Sequence, residues 1–158
     1  MSRRCGVNSA PIEAFTQVVL VGPDGVAWKK KMKTKLECIN PILPVRDIKV
    51  SLDYYVKVLG FAKADWVTDN STFALVLRDG FGIYLAEDRE HHSRARIWIG
   101  AEDIEPIHEE YLASGANIRE PPTNYSWAYE MVVEDPDGHT LRIGSDPREG
   151  VPFNDSPP

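Results

Sequence analysis

Two rhythms of apolar residues follow one another along the chain, and the order in which they come repeats once. Leu36–Val45 reads as a strand. Asp47 then offers an N-cap carboxylate, and Ile48, Ser51, Leu52, Tyr55, Val56 and Leu59 recur at helical spacing until Gly60. Strand rhythm returns over Phe61–Thr68, Ser71–Arg78 and Gly82–Ala86, and Asp79-Gly80 is placed to turn the last hairpin. The second half runs the same way. Arg94–Ala101 is a strand, and Asp103 caps a helix that carries Ile104, Ile107, Tyr111 and Leu112 and closes at Gly115. Asn117–Glu120, Ala128–Val133 and Thr140–Gly144 follow as strands, with Asp135-Pro-Asp-Gly138 as the matching turn. The halves also share letters, Val45-Arg-Asp-Ile48 against Ala101-Glu-Asp-Ile104.

The repeated unit is βαβββ, spanning about 36–90 and 91–146. One helix on one curved sheet closes too small a core by itself, so two copies must share one. The expected fold class is α+β, with two tandem βαβββ modules forming curved mixed sheets. Each curved sheet has a concave face, a natural ligand cleft.

Residues outside the repeat behave differently. Residues 1–35 read as an extension and linker. Phe15–Val21, Gly22-Pro-Asp-Gly25 and Val26–Trp28 suggest strand, turn and short strand, and Lys29–Lys35 a solvated linker. Met32 stands as a second candidate translation start. Residues 147–158 read as a flexible tail.

Charge narrows the range of partners. Residues 1–35 hold seven basic and two acidic residues, which leaves 11 basic and 22 acidic in 36–158. Such a body repels nucleic-acid phosphates and attracts cations. No apolar run approaches the roughly 20 residues of a membrane span. Cys5 and Cys38, far apart and without a CxxC spacing, build neither a disulfide framework nor a zinc knuckle and fit a cytoplasmic protein.

Little of the usual catalytic chemistry is spelled out. His91 and His92, in the acidic inter-module stretch, His108 on the second helix and His139 after a turn glycine read as solvated surface histidines. Cys38 reads as a small apolar group on a strand. No G-x-S-x-G motif and no glycine-rich phosphate loop occurs.

Asn40-Pro-Ile-Leu-Pro-Val-Arg-Asp47, Tyr54-Tyr55, Val58-Leu-Gly-Phe61 and Glu134-Asp-Pro-Asp-Gly138 together resemble the glyoxalase / bleomycin-resistance / dioxygenase superfamily, the vicinal oxygen chelate fold. The likeness covers about 36–146. It implies four cleft positions that metal-dependent members fill with His, Gln or Glu. Here they fall on Asn40, Tyr84, Arg96 and Arg142. Two of these are guanidinium groups, which repel a divalent cation. The resemblance therefore implies no metal, no cofactor and no catalytic residue.

Within the family the chain is most similar to bleomycin-resistance proteins. These are non-catalytic dimers that sequester a planar cationic antibiotic in grooves at the subunit interface. On that likeness Phe73 and Trp127 line the groove, Trp66 stands for another groove aromatic, and Trp98 matches a strand tryptophan. Pro41 falls on a proline associated with strand exchange between subunits. Arg96 falls on a tryptophan position, which leaves open a ligand with an anionic group. The ligand-binding set is then Trp66, Phe73, Tyr84, Arg96, Trp98, Trp127 and Arg142. The competing expectation is a metal-dependent lyase or dioxygenase of the same fold with a displaced site, using Glu87, Glu130 or a histidine. Glu130 is also placed to pair with Arg142 across the sheet.

Overall fold

The computed structural model describes residues 17–21, 27–31, 38–90 and 93–155. His91, His92, Met32 and Cys5 lie outside them. In the N-terminal region, β1 (Gln17–Val21) pairs antiparallel with β2 (Ala27–Lys31). Lys29–Lys31 thus belong to a strand and not to a linker.

The remainder holds the two modules. The first comprises β3 (Ile42–Val45), α1 (Ile48–Asp53) with a π-helical continuation over Tyr54–Val58, β4 (Ala62–Lys63), β5 (Phe73–Arg78) and β6 (Phe81–Glu87). Its sheet order is β3-β6-β5-β4. The second comprises β7 (Arg96–Gly100), α2 (Glu105–Ser114), β8 (Ile118–Asn124), β9 (Tyr129–Glu134) and β10 (Thr140–Ser145), in the order β7-β10-β9-β8. In each sheet the first strand pairs parallel with the last, and the second module's other pairs are antiparallel. The two four-stranded mixed sheets are the tandem βαβββ arrangement expected from the repeat.

Local chemistry explains the boundaries. Asp47 caps α1 by accepting from the backbone N–H groups of Lys49 and Val50 at 2.9 and 3.2 Å. Gly115 ends α2 with φ +77, a conformation that costs a side-chain-bearing residue. Asp79 and Gly80, at φ +51 and +85, make the turn that matches strand twist. Asp103 accepts from Glu105 N at 3.1 Å, but the cap position is Ile104 and the helix starts one residue later than a cap at Asp103 implies.

Two strands differ most from expectation. The stretch Phe61–Thr68 keeps only Ala62–Lys63 in the ladder, because Ala64 and Val67 turn inward to the core. The strand expected over Asn117–Glu120 runs on to Asn124 through Pro121 and Pro122. The prolines are tolerated because β8 is an edge strand with register shifts on either side of Glu120. The loop before Trp127 is accordingly shorter than the sequence suggests.

The two modules share one core. Leu43, Val45, Tyr55, Leu59, Val76 and Leu85 join Met131, Val133, Leu141 and Ile143 in a single buried cluster. Alternation is clean in β3, where Leu43 and Val45 are buried while Ile42 is exposed. A polar seam runs beside this core. Tyr54 Oη donates to Glu134 O at 3.0 Å, and Tyr55 Oη donates to the Asp135 carboxylate at 3.0 Å. Ser51 Oγ donates to Asp137 at 2.7 Å, and Arg46 holds the other oxygen of Asp137 at 2.9–3.0 Å through its backbone N–H and its Nε. On the helix side Arg78 grips both oxygens of Glu110 at 2.9 and 2.7 Å.

His139 belongs to this seam, which corrects its reading as a surface residue: it is 1% exposed. Its Nδ1 accepts from Ala95 N at 2.9 Å, so the proton sits on Nε2, which donates to Pro44 O at 2.7 Å. One imidazole thus ties the strand after the turn to the first strand of the other module. Cys38 is likewise not the buried apolar group expected; it is exposed.

Candidate functional site

Strand alternation sends one set of side chains to the core and the other to the opposite face: Leu43, Val45, Leu85, Leu141 and Ile143 go inward, and in β5 Ala74 and Val76 do. On the first sheet that face carries Phe73 and Tyr84, with Ile42 opposite Tyr84 in register. Phe73 and Tyr84 stack at 5.1 Å between centroids with planes 17° apart. Trp66, arriving from the β4–β5 connection, stacks with Phe73 at 6.3 Å and 21°. Three near-parallel rings thus form one platform, with Trp66 38% and Phe73 40% exposed. Asn40 reaches over the same face, its Oδ1 lying 3.4 Å from where a Cβ on Gly82 would stand. Pro41 precedes β3, and its carbonyl accepts from Tyr84 N at 2.9 Å.

The second sheet presents Arg96 and Trp98 from β7, Arg142 from β10 and Glu130 from β9. Arg142 lies opposite Trp98 on one side and Val132 on the other. Its guanidinium reaches the Glu130 carboxylate at 3.4 Å and Glu120 at 3.9 Å. Glu130 is buried and also accepts from Trp127 Nε1 at 3.4 Å. The cross-sheet pairing of Glu130 with Arg142 expected from the sequence is therefore present. Trp98 and Trp127 are 59% and 55% exposed, so neither is a core residue. Tyr125 stacks on Trp127 at 4.8 Å and 9°.

The seven expected site residues hence fall into two groups, one per concave face. Trp66, Phe73 and Tyr84 make the first; Arg96, Trp98, Trp127 and Arg142 make the second. Sequence reasoning missed Tyr125, whose i, i+2 spacing to Trp127 is the only signal in the chain. It missed also the way Trp127's loop is anchored. Asn124 accepts from Arg148 N at 2.8 Å and donates to Arg148 O and Val151 O at 3.1 and 3.0 Å. Ser126 N donates to Asp155 at 2.9 Å, and Asn154 N to Asn124 O at 2.7 Å. The Arg148 guanidinium lies 4.2 Å over the Tyr129 ring and bonds Glu105 at 3.0 Å. Residues 148–155 are thereby laced to the end of β8.

The donor set does not suit a divalent ion. Asn40 and Tyr84 stand on one sheet, and Arg96 and Arg142 on the other. Among the described residues no group of three or more His, Cys, Asp or Glu side chains is gathered to hold one. Among the described residues, three of the donors a displaced site could use are engaged. Glu87 accepts from Arg89 at 2.8 Å and from Ile48 N at 3.3 Å, Glu130 is held by Arg142, and both nitrogens of His139 are used.

Two curved mixed sheets of βαβββ order, each with an aromatic-lined concave face, define a vicinal oxygen chelate protein. The profile of the Glyoxalase/Bleomycin resistance protein/Dioxygenase superfamily matches residues 37–143, and the chain belongs to that superfamily. Solved structures agree on the fold. The chain is similar to TioX from Micromonospora sp. ML1, with 19% identity and a TM-score of 0.62, over 68% of this chain and 96% of that one. TnmS3, an antibiotic binding protein from Streptomyces sp. CB03234, aligns with 20% identity and a TM-score of 0.58, over 73% and 99%. A superfamily member from Sphaerobacter thermophilus DSM 20745 aligns with 22% identity and a TM-score of 0.57, over 68% and 94%. No curated protein matches the sequence significantly. Among the described residues no helix is long and apolar enough to cross a membrane.

Proposed function

We propose that this chain is a metal-independent, non-catalytic small-molecule binding protein of bleomycin-resistance type. It works as a cytoplasmic homodimer whose interface grooves hold a planar, cationic, antibiotic-like ligand. The observation that carries this reading is Arg142. At a position where metal-dependent relatives carry a ligand, this chain has a guanidinium paired with buried Glu130, on a face flanked by exposed tryptophans.

Aromatic surface then supplies the binding energy. The near-parallel rings of Trp66, Phe73 and Tyr84 offer a flat ligand a stacking platform, with about 0.5–1.5 kcal/mol per ring pair beyond area burial. The acidic body steers a cation towards it. Ile42, Phe73, Trp98 and Trp127 leave apolar surface open on both concave faces, as expected of half-clefts completed by a second subunit. The likeness to an antibiotic binding protein supports the same reading.

Titration with metal-free bleomycin, followed by tryptophan fluorescence, tests it. Saturable quenching is expected, with affinity falling about tenfold in Trp127→Ala. Unchanged affinity in that variant would remove Trp127 from the groove. One tightly held zinc, nickel or iron atom per chain, found by elemental analysis, would overturn metal independence.

A further inference from the structure

Resting on that binding reading, we propose that a slot between Trp98 and Trp127 on the second sheet takes a compact alkylammonium group, the cationic head of the ligand. The flat-ring platform of the first sheet is a separate surface.

The slot is built on two glycines. Gly100 on β7 and Gly144 on β10 are register partners. A Cβ on Gly100 would lie 2.9 Å from Trp98 Cζ3, and one on Gly144 would lie 3.2 Å from Glu130 Cβ and 3.5 Å from the Trp98 ring. Bare backbone at both positions lets the indole of Trp98 lie along the strands with its outer side open. Trp127 stands beyond it, held by its Nε1 bond to Glu130 and by the Tyr125 stack. The two indoles and the glycines line a cavity of about 300 Å³, and Glu102 and Asp146 stand at its rim.

Charge decides what fits. Asp103 and Glu105 are engaged by Arg148, and Glu120 and Glu130 by Arg142. Glu102 and Asp146 have no ion pair or hydrogen bond among the described residues. Arg96, on the same strand face, stands four residues from Gly100, about 13 Å away at strand rise. An anion in the slot meets two carboxylates. A neutral ring meets the indoles but leaves both carboxylates without a counter-charge. A compact cation meets indole faces and carboxylates together, which is the chemistry of an aromatic ammonium cage.

Choline and its uncharged isostere 3,3-dimethyl-1-butanol discriminate these cases, read by the indole ¹H–¹⁵N signals of the full chain. Choline should move the Trp98 and Trp127 signals saturably, with affinity about tenfold above the isostere. The surface double variant Glu102→Gln, Asp146→Asn should fold with unchanged Tm and bring choline down to the isostere. Equal affinity for the two probes, or a charge preference that survives the double variant, would overturn the slot. Bleomycin run in parallel separates the readings. Quenching by the drug without any response to choline sinks the slot alone, and silence to both sinks the binding reading with it.

Discussion

Replacing Tyr55 with phenylalanine removes one oxygen from the seam between the modules and nothing else. Tyr55 is fully buried, and its hydroxyl donates at 3.0 Å to Asp135, itself 3% exposed. Asp135 keeps two other donors, Asp137 N at 3.0 Å and His139 N at 2.8 Å. The variant leaves no sizeable cavity, so its cost is that of a hydrogen bond to a buried carboxylate, about 1.5–3 kcal/mol. For a chain of this size that lowers Tm by roughly 3–12 °C. Urea denaturation followed by circular dichroism should show a lower midpoint with unchanged m.

The pH dependence carries its own sign. Burial pushes the Asp135 carboxyl above its ordinary value; the nearby His139 and the hydrogen bonds from His139, Tyr55 and Asp137 pull the other way without cancelling it. Between the unfolded value of 3.8 and the raised folded value, the native state holds a proton that the unfolded chain has lost. Stability from this group therefore falls as pH rises through that window. Tyr55 favours the charged form, so its loss costs most above the folded value and less on acidification. A variant within about 0.5 kcal/mol of wild type at neutral pH, or a penalty that grows towards acid, would refute the assignment.

Asp137→Asn should also lose its penalty in acid, although the Asp137 carboxyl is shifted the other way. Burial alone raises the Asp137 carboxyl, but the bonds from Arg46 N, Ser51 and the Arg46 side chain outweigh it and hold it below 3.8. Its contribution, about 1–3 kcal/mol, is full above 3.8 and disappears as pH falls through the depressed folded value, so wild type and variant should converge in acid denaturation. Asn124→Ala should release residues 148–155, speeding limited proteolysis there and raising acrylamide quenching of Trp127; an unchanged cleavage rate would show that the Asn124 bonds do not hold that segment.

The repeat was legible because it is written in local terms. Asp47 as a cap, Gly60 and Gly115 as helix ends, and Asp79-Gly80 as a hairpin turn each follow from the conformational preferences of one or two residues. Copied in the same order, they specified two βαβββ units before any contact was known. Phe73, Trp98 and Arg142 were legible as candidates through alternation and family likeness. The Glu130–Arg142 pair was legible too, as a cross-strand pairing, whereas the Tyr125 stack on Trp127 was not, because it depends on how the loop before β9 folds.

His139 shows the limit most plainly. By sequence it follows a turn glycine among polar residues and reads as solvated. In the fold it is buried, because Pro44 and Ala95 come from other parts of the chain to satisfy both ring nitrogens. The same holds for β8, whose prolines argue against a strand until its edge position shows that their missing donors leave no ladder bond unmade. Sequence alone determined the order and kind of the elements, since propensity, capping and alternation act over a few residues. Which polar groups are buried, which aromatics stay open and which carboxylates remain without a counter-charge was decided only by tertiary structure, because each depends on partners distant along the chain.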